Sequence, residues 1–496
     1  MSDTRLLRIS NEDNVAVALV AIAAGTALPG GAVARTDIPA GHKIALRDIP
    51  QGVGILKFGQ VIGEASSPIA AGDHVHVHNV AFAGRADRAV ARGAGTTKPR
   101  AEAWFDGYIR ADGRVGTRNY IAVLTSVNCS ATVARRIADH FSGDRLLNYP
   151  NVDGVVAFSH TSGCGMAHHG RGIDNLRRTI EGYAVHPNFG GVLVVGLGCE
   201  VNQISELDLD AKIKTLTIQD AGGTRAAIDA GVAAIEAMLP AADRARRNRV
   251  SAEHLIVGLQ CGGSDGYSAL SSNPALGLAS DRLVEAGGTV ILSETPEIFG
   301  AENLLLARAS SSDVASALIQ KLEWWEEYAA ANGADLNNNP SPGNIEGGIT
   351  TILEKSLGAV AKAGSSPLTA VIDYAAKTSE RGFIFMDSPG YDPCSATGQI
   401  AAGANLIAFT TGRGSVFGSK PTPTLKLASN SELAREMADD IDIDCGRLLE
   451  GTASLEELGE EIFKAMLNIA SERRTASELD DVGDYEFVPW VPGAMM

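Results

Sequence analysis

The hydrophobic pattern changes character along the chain. In residues 1–82 the apolar runs are short and are broken by Gly and Pro about every eight to twelve residues, which is typical of a small β-rich domain. From Tyr120 onward the apolar runs are continuous, as expected for strands buried on both faces, and helical stretches separate several of them. Such alternation predicts a parallel α/β region.

The buried strands and their helices define the predicted organisation. Segment 83–105 loses apolar periodicity and collects Gly, Arg, Ala and Pro, which predicts a linker. We place a first α/β domain at 106–245 and a C-terminal α/β domain at 246–496. The predicted strands are YIAVLTSV, VDGVVAF, GVLVVGL, LIVGL, TVILS, LTAVIDYA, GFIFM and LIAFT, and the clearest helices are SATVARRIADHF, GTRAAIDAGVAAIEAML, residues 311–331 and SLEELGEEIFKAMLNIAS.

Charge and composition narrow the function. The 496 residues carry a formal net charge of −17, so a broad basic surface for nucleic acid or an anionic membrane is not expected, although a local basic pocket for a small anion remains compatible. The N-terminal apolar run is too short to span a bilayer and lacks the order of a signal peptide. We therefore expect a cytoplasmic protein with reduced cysteines.

The segment GDHVHVHN is the sharpest local signal. If it is a strand, His74, His76 and His78 project to one side, and Val75 and Val77 pack on the other. Three imidazoles on one face form a metal site or an anion-binding cluster. The alternative is a solvated strand face. His42, in PAGHKIAL, is a weaker addition to the cluster.

Four cysteines form a competing set. Cys129, Cys164, Cys199 and Cys261 each follow a predicted strand, and ligands of open parallel sheets bind beyond the carboxyl ends of strands. Together they predict an iron or iron–sulfur site. The alternative is inert free cysteine, and the spacings match no compact zinc or ferredoxin motif.

Glycine loops supply further polar groups. TTGRG places Arg413 beyond a strand, where its planar fork suits a carboxylate. CGGSDG presents Ser264 and Asp265 in a similar position, and NPSPGN with the following Lys355 offers another anion-binding loop. Ordinary surface turns with solvated side chains are the alternative. GLGCE supplies only two of the glycines of GxGxxG, so no nicotinamide cofactor is expected.

Taken in order, many motifs resemble the altronate dehydratase/galactarate dehydratase family over essentially the whole chain. The resemblance implies an N-terminal SAF-type domain, a two-part α/β catalytic region and a place in carbohydrate metabolism. It also implies a divalent metal, Fe²⁺ or else Mn²⁺, and loss of water from a sugar acid to give a 2-keto-3-deoxy acid. HVHVHN resembles the altronate branch, which favours D-altronate over galactarate or another 2-hydroxy acid. The matching segments are DNVAVAL, GHKIAL, DGRVGTRN, FSHTSGCG, GLGCE, QCGGSDG, NPALG, NPSPGN, EKSLG, KAGSS and FTTGRG.

This hypothesis distributes the roles as follows. The metal is expected on His76 and His78 with His42, and the four cysteines are the alternative ligands. Catalytic proton transfer is assigned to His74, His160 or Asp265, and substrate binding to Arg413, Lys355, Asn344 and Ser264. A sugar-acid-binding protein without catalysis is the competing class, and keto-acid formation distinguishes the two. The sequence leaves homo-oligomer formation open.

Overall fold

The N-terminal region of the computed structural model, which describes residues 5–82, 84, 88 and 101–495, is built from short antiparallel strands. The strands of residues 5–82 are β1 (Leu6–Leu7), β2 (Val15–Ala18), β3 (Lys43–Ala45), β4 (Gly54–Lys57), β5 (Gln60–Ala65), β6 (His74–Val75) and β7 (Val80–Ala81). They form one sheet of order β1-β2-β3-β6 and a second of order β4-β5-β7. The predicted small β-rich domain is confirmed.

The middle region contains a parallel sheet of order β11-β10-β12-β13, which is covered by helices on both faces, and a small antiparallel sheet of order β14-β8-β9. The six residues of the central strand β10 are all buried, as its unbroken apolar sequence predicts. The elements are β8 (Trp104–Ile109), β9 (Val115–Gly116), β10 (Tyr120–Thr125), α1 (Ala131–Asp139), β11 (Gly154–Phe158), α2 (Arg171–Ala184), β12 (Phe189–Gly196), β13 (Lys214–Thr217), α3 (Thr224–Ala242) and β14 (Arg247–Ser251).

The predicted linker at 83–105 falls largely outside the described residues. Only residues 84, 88 and 101–105 of it are described, and Trp104 and Phe105 already belong to β8. Arg88 contacts Glu302 through its Nε and Glu326 through its Nη2.

The C-terminal region surrounds a seven-stranded parallel sheet of order β17-β18-β16-β15-β19-β20-β21. Its strands are β15 (Ile256–Cys261), β16 (Thr289–Leu292), β17 (Leu368–Ile372), β18 (Gly382–Met386), β19 (Leu406–Thr411), β20 (Thr424–Ala428) and β21 (Ile443–Asp444). Its helices are α4 (Ser272–Glu285), α5 (Glu302–Leu306), α6 (Ser312–Ala331), α7 (Pro342–Glu346), α8 (Ile352–Ala361), α9 (Asp392–Ala401), α10 (Ser431–Glu436), α11 (Leu455–Ser471) and α12 (Ala476–Leu479). The parallel α/β class is thereby confirmed, and no helix of the described residues is long and apolar enough to cross a membrane.

The strand order predicts the position of a binding crevice. The chain passes from β15 to β16 on one side of the sheet, whereas β19 and the strands after it lie on the other side of β15. Ligands of open parallel sheets bind at this reversal, beyond the carboxyl ends of the strands. Here those ends carry the loops CGGSDG and TTGRG.

The N-terminal domain packs beside this crevice through buried charges. Lys43 and Lys57 each place Nζ 2.8 Å from an oxygen of Glu354 on α8, and all three side chains are at most 4% exposed. Burial alone would raise the pKa of the Glu354 carboxyl, but the two ammonium groups hold that pKa well below its usual range. The backbones also meet closely, since a Cβ on Gly266 would lie 2.1 Å from the carbonyl oxygen of Gly41. These contacts bring His42 to the edge of the crevice.

Candidate functional site

The predicted histidine strand is shorter than expected. Only His74 and Val75 are in β6, and the chain turns over residues 76–79 because the Asn79 side chain accepts from the His76 backbone N–H. The expectation that both valines pack is wrong for Val77, which is 46% exposed, while Val75 is fully buried.

The histidine rings nevertheless converge. The register of β3 with β6 pairs Lys43 with Val75, so one further step places His42 opposite His76. His42 Nδ1 lies 3.0 Å from His74 Nε2, and the His42 and His76 ring centroids are 4.8 Å apart. One ring nitrogen each from His42, His74 and His76 lies within 4.8 Å of the other two. The exposed ring of His78 is 5.5 Å from that of His74 and is outside this group.

The hydrogen bonds of His42 fix its tautomer, and one buried nitrogen of His76 has no hydrogen-bond partner. His42 Nε2 donates to the Glu346 carbonyl oxygen at 3.0 Å, because a carbonyl only accepts. The neutral ring therefore carries its lone pair on Nδ1, which faces His74 Nε2 at 3.0 Å. His76 Nδ1 is buried without any hydrogen-bond partner. Buried polar atoms are normally paired, so this nitrogen is available to a ligand.

The environment of the three rings favours their neutral form. Burial, reinforced by His42, lowers the pKa of His74 to about 4, and burial with Lys43 lowers that of His76 to about 3. Burial also lowers the pKa of His42. A neutral imidazole is the form that coordinates a metal.

Glu346, at the end of α7, connects the histidines with Arg413. Its carbonyl accepts from His42, and its Oε2 lies 2.7 Å from Arg413 Nη2. The guanidinium side chain is 41% exposed and the Glu346 side chain 72% exposed. Exposed pairs of this kind contribute only about 0–1 kcal/mol, so a substrate carboxylate can replace Glu346 on Arg413 at little cost.

The other predicted crevice residues hold the loops in place. Asp265 is buried and accepts from the Ser268 and Ser429 hydroxyls, and burial raises the pKa of its carboxyl. Asn344 Nδ2 donates to the Ser264 carbonyl at 2.8 Å. The Asn344 side chain also completes the N-terminal cap of α7 with Ser341. Part of the predicted NPSPGN loop is therefore the start of a helix.

Lys355 leads to a buried charge cluster that the sequence did not reveal. Its Nζ lies 2.8 Å from Glu297 Oε1, which satisfies the ammonium within the protein. Cys261, Glu294 and Glu297 form a second group with ligand atoms within 4.8 Å of one another, and Lys362 Nζ donates to Cys261 Sγ at 2.9 Å. Both Glu294 carboxylate oxygens lack a partner. The strand-end rule applied to the cysteines would also have singled out SETPE, which follows β16 directly.

Burial and mutual repulsion divide the charges of this cluster unequally. Burial, reinforced by Glu297, raises the pKa of Glu294 well above its usual value and that of Asp392 to about 7. Burial alone would raise the pKa of Glu297 as well, but Lys355 and Lys362 lower it. Ionisation is therefore disfavoured at Glu294 and favoured at Glu297.

The four predicted cysteines do not share a sheet. Cys261 ends β15 of the seven-stranded sheet and is buried against Lys362, whereas Cys129, Cys164 and Cys199 are exposed beyond strands of the four-stranded sheet. His160, the predicted proton-transfer residue, is buried near Cys164. Its two ring nitrogens contact the Ser162 hydroxyl and the Thr125 carbonyl, each at 3.0 Å, and burial lowers its pKa to about 4.

Comparison with known families accounts for nearly the whole chain. Residues 4–83 match the altronate/galactarate dehydratase SAF domain. Residues 107–243 match the second domain of D-galactarate dehydratase/altronate hydrolase, and residues 252–495 match the C-terminal domain of D-galactarate/altronate dehydratase.

Full-length relatives carry the same names. Altronate dehydratase of Escherichia coli K12 is 36% identical over 502 residues, covering 96% of this chain and 97% of the relative. Altronate dehydratase of Bacillus subtilis 168 is 34% identical over 494 residues, with the same coverages of 96% and 97%. The L-threo-forming galactarate dehydratase of E. coli K12 is 36% identical over 493 residues, covering 94% and 93%.

Proposed function

Because the chain belongs to the D-galactarate/altronate dehydratase family and is a hydro-lyase, we propose that it is a metal-dependent sugar-acid dehydratase acting on D-altronate. The proposed product is the 2-keto-3-deoxy acid. The observation that carries the metal assignment is the buried, unpartnered Nδ1 of His76 beside the His42 and His74 rings.

The three histidines fit a divalent ion of the iron or manganese class. Two of their nitrogens are 3.0 Å apart, which suits neighbouring ligands with metal–nitrogen bonds of about 2.1 Å. The hydrogen bond from His42 Nε2 to a carbonyl is the usual support of a coordinating imidazole. A bound ion would polarise the substrate carboxylate and C2 hydroxyl, which makes the C2 proton more acidic.

Arg413 is assigned to a substrate carboxylate. Its guanidinium and the His42 ring both contact Glu346. The proposed carboxylate-binding residue therefore lies close to the proposed metal ligands. Removing the Arg413 guanidinium removes a charged hydrogen bond to the substrate, and such a bond contributes about 1.5–3 kcal/mol to the binding free energy. We expect R413A to raise KM by about 10- to 100-fold.

Proton transfer is assigned to His78 in place of His160 and Asp265, whose polar atoms are already engaged. The His78 ring is exposed beside His74 and outside the ligand group. A base removes the C2 proton and an acid protonates the departing C3 hydroxyl, so one water leaves for each substrate molecule. The resulting enol takes up a proton at C3 and becomes the ketone without a change in overall oxidation state.

D-altronate is preferred because the histidine-rich segment resembles the altronate branch. Overall identity does not separate the two sugar acids, since both E. coli relatives are 36% identical to this chain. A panel of aldonates and aldarates, assayed for keto-acid formation, ranks the substrates by kcat/KM. Substrate binding without keto acid from any member would instead support the non-catalytic sugar-acid-binding class.

The decisive variant is H76A, with V77A as its matched control in the same turn. H76A should lose bound metal and lower kcat by at least about 100-fold while keeping its thermal unfolding midpoint. V77A removes an exposed side chain and should change neither quantity. Full metal content and activity in H76A would reject the histidine site.

E294Q distinguishes the second potential site. The Cys261–Glu294–Glu297 group already holds two ammonium groups, at 2.9 Å from Cys261 and 2.8 Å from Glu297, which disfavour an additional cation. We expect E294Q to retain its metal. If H76A retained its metal and E294Q lost it, the metal site would be the Cys261–Glu294–Glu297 group instead.

A further inference from the structure

Three exposed cysteines occupy one edge of the middle sheet. Cys129, Cys164 and Cys199 lie in the loops that follow β10, β11 and β12, and these strands are neighbours in the order β11-β10-β12. Parallel strands end on the same edge, so their loops emerge side by side. All three thiols are free and exposed.

Hydrogen bonds close the three loops into a ring. Asn128, next to Cys129, donates its backbone N–H to Ser162 in the loop of Cys164. Asn202, in the loop of Cys199, donates to Gly163, next to Cys164, at 3.0 Å.

The third contact completes the ring. Glu200, next to Cys199, accepts from Ser126 in the loop of Cys129 at 2.6 Å. A residue adjacent to each cysteine thus takes part in one of the three contacts between the loops. The close approach of the loops requires glycine at position 163, because a Cβ there would lie 2.4 Å from the Ser126 carbonyl oxygen.

From this convergence we infer that Cys129, Cys164 and Cys199 hold a 4Fe–4S cluster, a site separate from the proposed histidine metal site. Thiolates are the ligands of such clusters, and three of them leave one iron open to a small ligand. A single ion needs its ligand atoms closer together. Among the described residues, the groups tight enough for one ion are the histidine group and the Cys261 group.

A cavity beside Cys164 identifies the class of ligand. It has a volume of about 610 Å³ and is lined by Arg135, Arg171 and His169 together with the C-terminal segment 485–495. Arg135 comes from α1, which begins two residues after Cys129, and its guanidinium contacts the Ser159 hydroxyl at 3.0 Å. Arg171 already pairs with Asp387 at 3.0 Å, whereas the Arg135 guanidinium contacts a neutral hydroxyl, so Arg135 beside an open iron fits a hydroxy-carboxylate anion.

Loading of the cluster is a ligand exchange. A preassembled 4Fe–4S cluster, supplied by a scaffold, exchanges three of its terminal ligands for the three cysteine sulfurs. Each thiol releases one proton as its iron–sulfur bond forms, and no electron is transferred.

The test uses the full chain, reconstituted anaerobically with ferric iron, sulfide and a thiol reductant, which reduces part of the iron to the ferrous state that the mixed-valence cluster requires. We expect about four iron and four acid-labile sulfide per chain, visible absorption and an electron paramagnetic resonance signal after one-electron reduction. C129S, C164S and C199S should each lose sulfide and absorption, whereas C261S and H76A should retain them. Adding D-altronate should shift the resonance signal of the reduced cluster.

Several results would overturn the inference. Iron without sulfide, zinc in place of iron, or equal sulfide in C164S and C261S would each reject a three-cysteine cluster. An unchanged resonance signal with D-altronate would reject the open iron. The readouts are independent of turnover, so a cluster that fails to form in a chain whose activity depends on His76 would leave the proposed function standing.

Discussion

The two parallel sheets end in loops of similar composition but opposite character. Beyond the four-stranded sheet, Cys129, Cys164 and Cys199 are exposed. Beyond the seven-stranded sheet, Cys261 is buried with Glu294 and Lys362. The same kind of strand-end cysteine is therefore accessible in one sheet and enclosed by charges in the other.

The difference arises from what covers each edge. The N-terminal domain packs beside the seven-stranded edge through Lys43, Lys57 and Glu354, and a charge enclosed by protein must be paired because desolvation is expensive. At the four-stranded edge the loops form hydrogen bonds mainly to one another's backbones, and the three thiols are exposed. The comparison shows that a residue at the end of a strand lies at a potential site. Whether other parts of the protein pack over that strand end decides whether the side chain is exposed to ligands or paired within the protein.

Thiol labelling of the metal-free native chain should show the largest effect. Cys129, Cys164 and Cys199 should react quickly, whereas Cys261, Cys394 and Cys445, which are buried, should react at least about 10³-fold more slowly because they need local opening. Mass spectrometry of peptides labelled over time checks this. Fast labelling of Cys261 would contradict the closed edge.

Opening the covered edge should destabilise the protein. E354Q leaves Lys43 and Lys57 buried without a carboxylate, at a cost of about 3–5 kcal/mol in the free energy of unfolding. Urea titration measures it. The control is E461Q, whose partly exposed pair with Arg447 should change that free energy by about 1 kcal/mol at most. Equal effects of the two substitutions would show that the domain contact is not held by these charges.

The smallest effect concerns the cysteine loops. Gly163 and Gly170 both have positive φ, but only Gly163 has no space for a Cβ. G163A should therefore cost about 1–3 kcal/mol more than G170A in the free energy of unfolding, measured by urea titration. It should also lower cluster loading. Matching stabilities would show that the loops do not need their close approach.

Much of the fold followed from local sequence. GFIFM is β18 in full, and LIAFT extends by one residue into β19, because continuous apolar runs have few alternatives to a doubly buried strand. The histidine strand was predicted too long, since Asn79 redirects the backbone at His76 through its side chain. A pattern of apolar and polar residues does not show that a side-chain hydrogen bond competes with the strand for the backbone N–H of His76.

The sequence alone determined the class of fold, the family and the places where strands deliver polar side chains. Tertiary structure decided which of those side chains meet. The pairing of β3 with β6 brought His42 to His76, and the neighbouring ends of β15 and β16 brought Cys261 to Glu294. The reason is physical: periodicity is a local property of the chain, whereas strand order, register and the packing of one domain on another depend on contacts between residues far apart in sequence.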